Sequence, residues 1–265
     1  MQSFLRLSGL CFWVLLLSAC GSRNKEESLS SLPVYQTVNF QYSPGEKLEY
    51  QVNLGVIHVG NMTLEVAKDC DTVAGRICVP IHASAKTLNG IKWITKIRHD
   101  WHSWIDTSSG NSVKMLREAR ENGYRSREEV DFWSDSWAVI QKDLDEPTKP
   151  PIYVYRKGRQ QTDFVNLIWK LRYTPFEDFQ VGKLIQYSAY FDKNWHYFEV
   201  KYQGIKEIKW HGKKQSVFEL VPQGTADHFL KGEEPARIYL ETRNTRRLLQ
   251  ISLATYFNST STFPK

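Results

Sequence analysis

The chain has 265 residues, 35 of them Lys or Arg and 29 Asp or Glu, for a net charge of +6 with histidine neutral. No basic run is dense enough for a nucleic-acid backbone, so nucleic acid is not an expected partner. The mild positive balance would suit nearby acidic lipids or glycans, and ordinary solubility accounts for it as well.

The N-terminal region reads as an export signal. Arg6 is the only charge before Cys20, and Leu7 to Leu17 is apolar around Phe12, Trp13 and Val14. That run is too short to span a bilayer and has the layout of a secretory signal. It closes on Leu17-Ser18-Ala19-Cys20, followed by Gly21-Ser22. The stretch resembles the lipobox of bacterial lipoproteins: an aliphatic residue, two small ones, then a cysteine. The resemblance implies a diacylglyceryl group on the Cys20 sulfur and cleavage that leaves Cys20 first. Gly21, where an Asp would favour the inner membrane, implies the outer membrane and a periplasm-facing domain. Residues 1–19 are thus expected to be a signal peptide and 20–36 a flexible tether. The polar run Ser22-Arg23-Asn24-Lys25-Glu26-Glu27 cannot bury enough apolar surface to order itself. Residues 37–265 are expected to form a single β-rich domain, since no linker divides them.

From Tyr42 the pattern alternates. Leu48, Tyr50, Val52 and Leu54 interleave with Lys47, Glu49, Gln51 and Asn53, which predicts a strand with one wet face. Met62, Leu64 and Val66 continue it beyond Gly55 and Gly60. Val79, Ile81, Ala83 and Ala85 form another run, and Trp93, Ile97, Trp101 and Ile105 share one face of the next. Cys70 and Cys78 lie between two strands. In an exported protein the compartment is oxidising. With Cys20 lipidated and Cys11 removed, these two thiols remain, and Asp71 and Gly75 supply turn residues between them. A Cys70–Cys78 disulfide across a hairpin is the resulting expectation.

Asn122-Gly123 is a strong hairpin signal, because it supplies the two positive φ angles of a type I′ turn. With a two-residue loop, opposed positions sum to 245. Met115 then meets Val130, Val113 meets Phe132, Glu118 meets Arg127, Arg117 meets Glu128 and Lys114 meets Asp131. Opposite charges and apolar pairs coincide, as cross-strand pairing favours; Arg120 opposite Arg125 is the poor pair. This charge run reads as a solvated face. Trp137 to Gln141 and Ile152 to Tyr155 read as strands, and the prolines at 147, 150 and 151 keep the intervening segment a loop. Then the period changes: Phe164, Leu167, Ile168 and Leu171 fall at i, i+3, i+4 and i+7. Thr162 or Asp163 can cap the start and Pro175 follows the end, so one substantial helix is expected over about 162–173. Strands resume around Ile185–Phe191, His196–Tyr202, Val217–Val221, Ile238–Glu241 and Leu249–Phe257. The fold class is mainly β: a curved antiparallel sheet or open β-barrel with that one helix packed on it.

Several stretches, in this order, resemble the domain-of-unknown-function 3108 family of exported bacterial proteins. They are Pro44-Gly45-Glu46-Lys47-Leu48-Glu49-Tyr50, Asp163 to Arg172, Phe179-Gln180-Val181-Gly182-Lys183, Ala236-Arg237-Ile238-Tyr239-Leu240 and Asn244-Thr245-Arg246-Arg247-Leu248-Leu249. Asn244 stands where the family has an acid, and Leu249 where it has Pro. The resemblance covers roughly 40–260 and implies a common fold without an attached reaction.

No G-x-S-x-G elbow, H-E-x-x-H helix, P-loop or dinucleotide glycine pattern is present. His99 and His102 are three apart on a strand, which sends them to opposite faces. Glu128-Glu129 and Glu233-Glu234 diverge or face solvent, unlike an acid/base couple. No metal or cofactor is expected. The aromatics, 13% of the chain with nine Trp, suit a large core, and a few suit a groove for a lipid chain or sugar ring. The expected function is that of an outer-membrane-anchored periplasmic lipoprotein with a non-enzymatic binding or scaffolding role. Its partners would be the membrane, through the lipid on Cys20, and a lipid, glycan or protein ligand. Phe164, Leu167, Ile168 and Trp169 would form one wall of a site between helix and sheet. The alternative is an envelope hydrolase whose catalytic groups assemble only in the fold.

Overall fold

The computed structural model describes residues 41–264 apart from 55–56, 92–95, 134–137, 156–160, 192, 224–235, 244–245 and 255–258. The signal, Cys20 and the tether therefore lie outside the described residues. The chain runs through β1 (Lys47–Leu54), β2 (Ile57–Val66), β3 (Asp71–Val73), β4 (Arg76–Thr87), β5 (Ile97–Asp106), β6 (Ser112–Glu121), β7 (Tyr124–Trp133), β8 (Ala138–Asp143) and β9 (Ile152–Tyr155). Helix α1 (Phe164–Arg172) follows. After it come β10 (Leu184–Phe191), β11 (Asn194–Trp210), β12 (Lys213–Gln223), β13 (Ala236–Glu241), β14 (Leu248–Ala254) and β15 (Ser259–Pro264).

One antiparallel sheet holds all fifteen strands, in the order β10-β11-β12-β13-β14-β15-β1-β2-β4-β5-β6-β7-β8-β9, with β3 added on β4. First and last strands pair in the middle of the sheet, where Tyr50 lies opposite Pro264 and Val52 opposite Thr262. The sheet curves into a half-barrel whose free edges are β9 and β10. Residues 161–163 connect the two sides. The Ser112 amide donates to the Gln161 carbonyl, and the Tyr190 amide to the Thr162 carbonyl, each at 2.8 Å. The Tyr190 hydroxyl reaches across to Gln141 Oε1 at 2.7 Å. The inner face carries the alternating apolar positions found in the sequence, including Tyr50, Met62, Leu64, Ile81, Trp101 and Met115, all buried.

Two-residue loops with a left-handed pair recur at Ala74-Gly75 (φ 49 and 73), Asn122-Gly123 (φ 47 and 92) and His211-Gly212 (φ 45 and 76). Such pairs twist with the flanking strands. The β6–β7 hairpin has the expected register, with Met115 opposite Val130, Glu118 opposite Arg127 and Arg120 opposite Arg125. The Arg120–Arg125 pair is relieved by Glu118, which contacts Arg120 at 2.5 Å and Arg125 at 3.6 Å. Other charges on this face meet both diagonally and directly, Lys142 standing opposite Glu129 on β8. Lys114 pairs with Glu129, Lys142 spans Glu129 and Asp131, and Arg127 takes Asp145 at 2.8 Å. Arg117 and Glu128 do pair directly, at 2.9 Å, but on the covered face. Only one face of the hairpin is thus solvated.

The disulfide expectation is corrected. Cys70 and Cys78 are free thiols, one exposed and the other buried. The Ala74-Gly75 loop fixes the register, with Val73 opposite Arg76 and Asp71 opposite Cys78. Cys70 is one residue out of phase, so the two side chains leave opposite faces. Cys70 Sγ lies 3.6 Å from the Tyr42 hydroxyl, whereas Cys78 Sγ donates to the Arg76 carbonyl at 3.5 Å. Burial pushes the Cys78 thiol up to about 11. The processed protein, with Cys11 removed and Cys20 blocked by lipid, is therefore expected to take one alkylating label at neutral pH, on Cys70, and a second only in denaturant. Intact-mass measurement checks this; no label on native protein, with both taken only after reduction, would restore the disulfide.

β11 is longer than the sequence predicts. His196–Tyr202 is its first half, and the strand continues to Trp210 past a bulge between Tyr202 and Gly204, where Gly204 takes φ 98. The run Lys206, Glu207, Lys209 hides the alternation that Ile208 and Trp210 would otherwise show.

Candidate functional site

Helix α1 sits on the sheet through buried polar groups as well as apolar ones. Asp163 caps it, accepting from the Asn166 amide at 2.9 Å and from Ser103 Oγ at 2.5 Å. The Asp163 amide donates to Ser112 Oγ at 2.9 Å, and Asn166 Nδ2 donates to the Gly110 carbonyl and Ser112 Oγ. Burial holds the Asp163 carboxyl above its usual range, against the pull of the Ser103 and Asn166 donors. The Asn166 amide bond is that of a helix cap, and a parallel bridge to Tyr190 ties Asp163 to β10 as well.

At the other end of α1, residues distant in sequence converge. Arg172 is 1% exposed and forks onto Glu46 at 2.7 and 3.2 Å. Its Nε donates to the Arg246 carbonyl at 3.1 Å. Arg246 in turn holds the Thr174 carbonyl at 3.0 Å and both oxygens of Glu177 at 2.7 Å. Arg247 pairs with the buried Glu241. Three of the stretches that carry the family resemblance, around Glu46, Arg172 and Arg246-Arg247, are thus one cluster in space. Its ion pairs pin the helix to the sheet.

The four helix residues expected to line a ligand site belong to the core. Phe164 packs on Phe191, ring centroids 6.0 Å apart. Trp169 is fully buried, donates Nε1–H to the Gln41 carbonyl at 3.0 Å and carries Arg172 over its ring at 4.3 Å. Leu167 and Ile168 are half-buried against the same core.

A concavity lies elsewhere. A cleft of about 840 Å³ opens at one end of the sheet, where β4 ends, β5 begins and the β6–β7 turn lies. None of the four helix residues lines it. On its inner side stand Ala85, Ile97, His99 and Glu121. His99 is buried, its Nε2 is 2.5 Å from Glu121 Oε1, and its Nδ1 has no hydrogen-bond partner among the described residues. On the outer side stand Lys86, Arg98, Arg120 and Arg125. These four are in register across four strands: Lys86 opposite Arg98, Arg98 opposite Arg120, Arg120 opposite Arg125. Lys96 lines the cleft as well, and Asp100 and Glu121 are its carboxylates.

The expected separation of His99 from His102 is found: His99 is buried, while His102 is on the solvent face. There it stacks on His82, centroids 4.3 Å apart, a pairing that only the β4–β5 register reveals. The cleft does not assemble a nucleophile–base couple from its serine and histidine. Ser84 lies opposite Asp100 and Ala85 opposite His99, so Ser84 and His99 leave opposite faces. The Ser84 hydroxyl is engaged with Thr63 Oγ1 at 2.7 Å. Among the described residues no three His, Cys, Asp or Glu converge as a metal-ligand set. What the cleft presents is a row of positive charge beside an inner wall of Ala85, Ile97 and the His99–Glu121 pair.

A family model described as a protein of unknown function (DUF3108) matches residues 49–260, taking in all but the first part of the stretches quoted above. Among solved structures, the chain is similar to a beta-barrel-like protein of domain of unknown function DUF1849 from Brucella abortus. The identity is 8% and the TM-score 0.52, with 83% of this chain and 94% of that chain covered. At that identity the likeness concerns the fold alone. No curated protein matches the sequence.

Proposed function

The chain belongs to the DUF3108 family of proteins of unknown function, and from that premise we propose a lipid-anchored envelope protein with a non-enzymatic binding role. The anchor is the lipid on Cys20, the location the periplasmic face of the outer membrane, and the ligand a lipid or glycan of the envelope. The observation that carries the binding role is the cleft of about 840 Å³ at the β4–β7 end of the sheet. Its volume falls in the range of sites that enclose a small molecule, and it joins an inner wall of Ala85, Ile97 and the His99–Glu121 pair to a cationic outer one. The hydrolase alternative has less support, because the cleft's serine and histidine face apart.

Two measurements test the reading. Wild-type chain should incorporate a fatty-acid analogue in cells, and Cys20→Ala should abolish both label and cleavage; a labelled Cys20→Ala would end the anchor. For the cleft, a photoreactive phenylalanine replaces Tyr124, an exposed cleft residue. A second chain carries it at Tyr155, exposed on the edge strand β9. Irradiation in cells should add a discrete mass at 124 and not at 155. No adduct at 124, or equal adducts at both, would remove the cleft as the binding site.

A further inference from the structure

We propose that the cleft binds a phosphate-bearing ligand, through the row Lys86, Arg98, Arg120 and Arg125; this rests on the cleft being the binding site and names the chemistry it takes. Four cations directly opposite one another on adjacent strands repel and work against the sheet. Neighbouring strands are about 4.8 Å apart, so the row runs roughly 14 Å across the sheet. Nothing in the packing requires it, since the side chains of Arg98, Arg120 and Arg125 are 67%, 54% and 46% exposed.

The carboxylates of the next row hold these cations without neutralising them. Asp100 takes Arg98 at 3.1 Å, and Glu118 takes Arg120 and Arg125. Two carboxylates thus orient three guanidinium groups; Lys86 and Lys96 stand beside them and Glu121 is held by His99 on the inner side, so five cations face three carboxylates. The surplus positive charge matches a ligand with two or more negative charges. Guanidinium forks suit phosphate oxygens, which accept two parallel N–H bonds, better than they suit a neutral sugar. On the inner side, His99 Nδ1 adds a buried polar atom with no partner among the described residues, beside Ala85 and Ile97, which suit an apolar portion of the same molecule. A phosphorylated headgroup attached to something less polar fits both walls.

The topology places this site away from the anchor end. The N-terminal segment enters β1 at Lys47, opposite Glu65 of β2, whereas Leu54 and Ile57 close the other end of that hairpin. The cleft lies at the latter end, because Gly60 pairs with Thr87 there. A strand of eight residues is roughly 26 Å long. The cleft therefore opens about one strand length from where the tether joins, and is free to receive a ligand when the other end is anchored.

The test uses the full chain and two probes, inorganic pyrophosphate by calorimetry and vesicles of pure phosphatidylglycerol against pure phosphatidylcholine by sedimentation. Pyrophosphate should bind, more weakly as salt is raised. Arg98→Gln with Arg120→Gln should weaken it by about tenfold or more, as loss of charged hydrogen bonds does. Lys214→Gln, on the exposed turn end of β12 at the opposite end of the sheet, should leave it unchanged. Both arginines are exposed, so the double variant should keep the wild-type melting temperature, and Arg125→Gln alone gives a milder second reading. Preference for phosphatidylglycerol vesicles, lost in the double variant, identifies a lipid headgroup as the source. Pyrophosphate binding without vesicle preference identifies a soluble phosphorylated molecule. Failure of both probes, or unchanged binding in the double variant, overturns the phosphate assignment. If a discrete adduct still forms at position 124, the cleft stands as a site for another ligand class; if it does not, both readings fall.

Discussion

Replacing Arg172 with alanine is expected to cost the fold about 3–5 kcal/mol, the range for breaking a buried ion pair from one side. The side chain is 1% exposed and its Glu46 partner 16%. Truncation strands the Glu46 carboxylate and frees the Arg246 carbonyl that accepts from Arg172 Nε. It also removes the cation that lies 4.3 Å over the Trp169 ring. Three segments are released together: the entry to β1, the end of α1 and the turn before β14. Urea unfolding should show a lower midpoint with little change in slope, as a loss of stability without a change in exposed area requires. Arg172→Lys should recover only part of the loss, because an ammonium cannot fork onto a carboxylate. A cost below about 1 kcal/mol for the alanine variant would mean that Glu46 is rehydrated and the cluster is not a lock.

The cluster also shows what could be read from the residues and what could not. Glu46, Arg172 and Arg246-Arg247 were visible as parts of an ordered set of stretches, but nothing local says that they touch. Strand periodicity was legible because one face of the sheet is dry, and so the apolar positions of β1, β2, β4 and β5 follow from alternation. The β6–β7 hairpin was legible down to its register because Asn122-Gly123 fixes both loop length and twist. The helix was legible from its period and from Asp163. Ala74-Gly75 is the same kind of signal and sets Cys70 and Cys78 out of phase, which an oxidising compartment alone does not reveal. The rest of β11 was lost because Lys206, Glu207 and Lys209 interrupt the alternation after the Gly204 bulge. The cationic row was invisible for another reason. Arg120 opposite Arg125 follows from the hairpin, but Lys86 and Arg98 join only through the β4–β5 and β5–β6 registers, and a bulge between Trp104 and Ile105 shifts the second of these beyond the Asp106–Asn111 turn. One poor pair at a hairpin tip read as a solvated irregularity, whereas four in line are a surface.

Trp169 decides between two readings of the helix. Trp169→Ala is expected to cost about 3–5 kcal/mol, as loss of a large aromatic from a close-packed core does. The ring is fully buried, and its Nε1–H donor satisfies the Gln41 carbonyl, which ties the segment before β1 to the helix. Leu167→Ala and Ile168→Ala should cost less, because both side chains are half-buried at the margin of the core. The loss at Trp169 should not add to the loss at Arg172. The two side chains touch, so a double variant should be less damaged than the separate costs imply, since each single change already removes the shared contact. Chemical denaturation of the two single variants and the double one measures that coupling directly. A helix face that instead formed the wall of a ligand site would give another pattern. Trp169→Ala would leave the unfolding midpoint near wild type and would abolish the adduct at position 124. The geometry predicts the reverse: a protein much less stable in urea that, at a temperature where it remains folded, still forms that adduct, because the cleft lies on β4, β5 and the β6–β7 turn and not beneath α1.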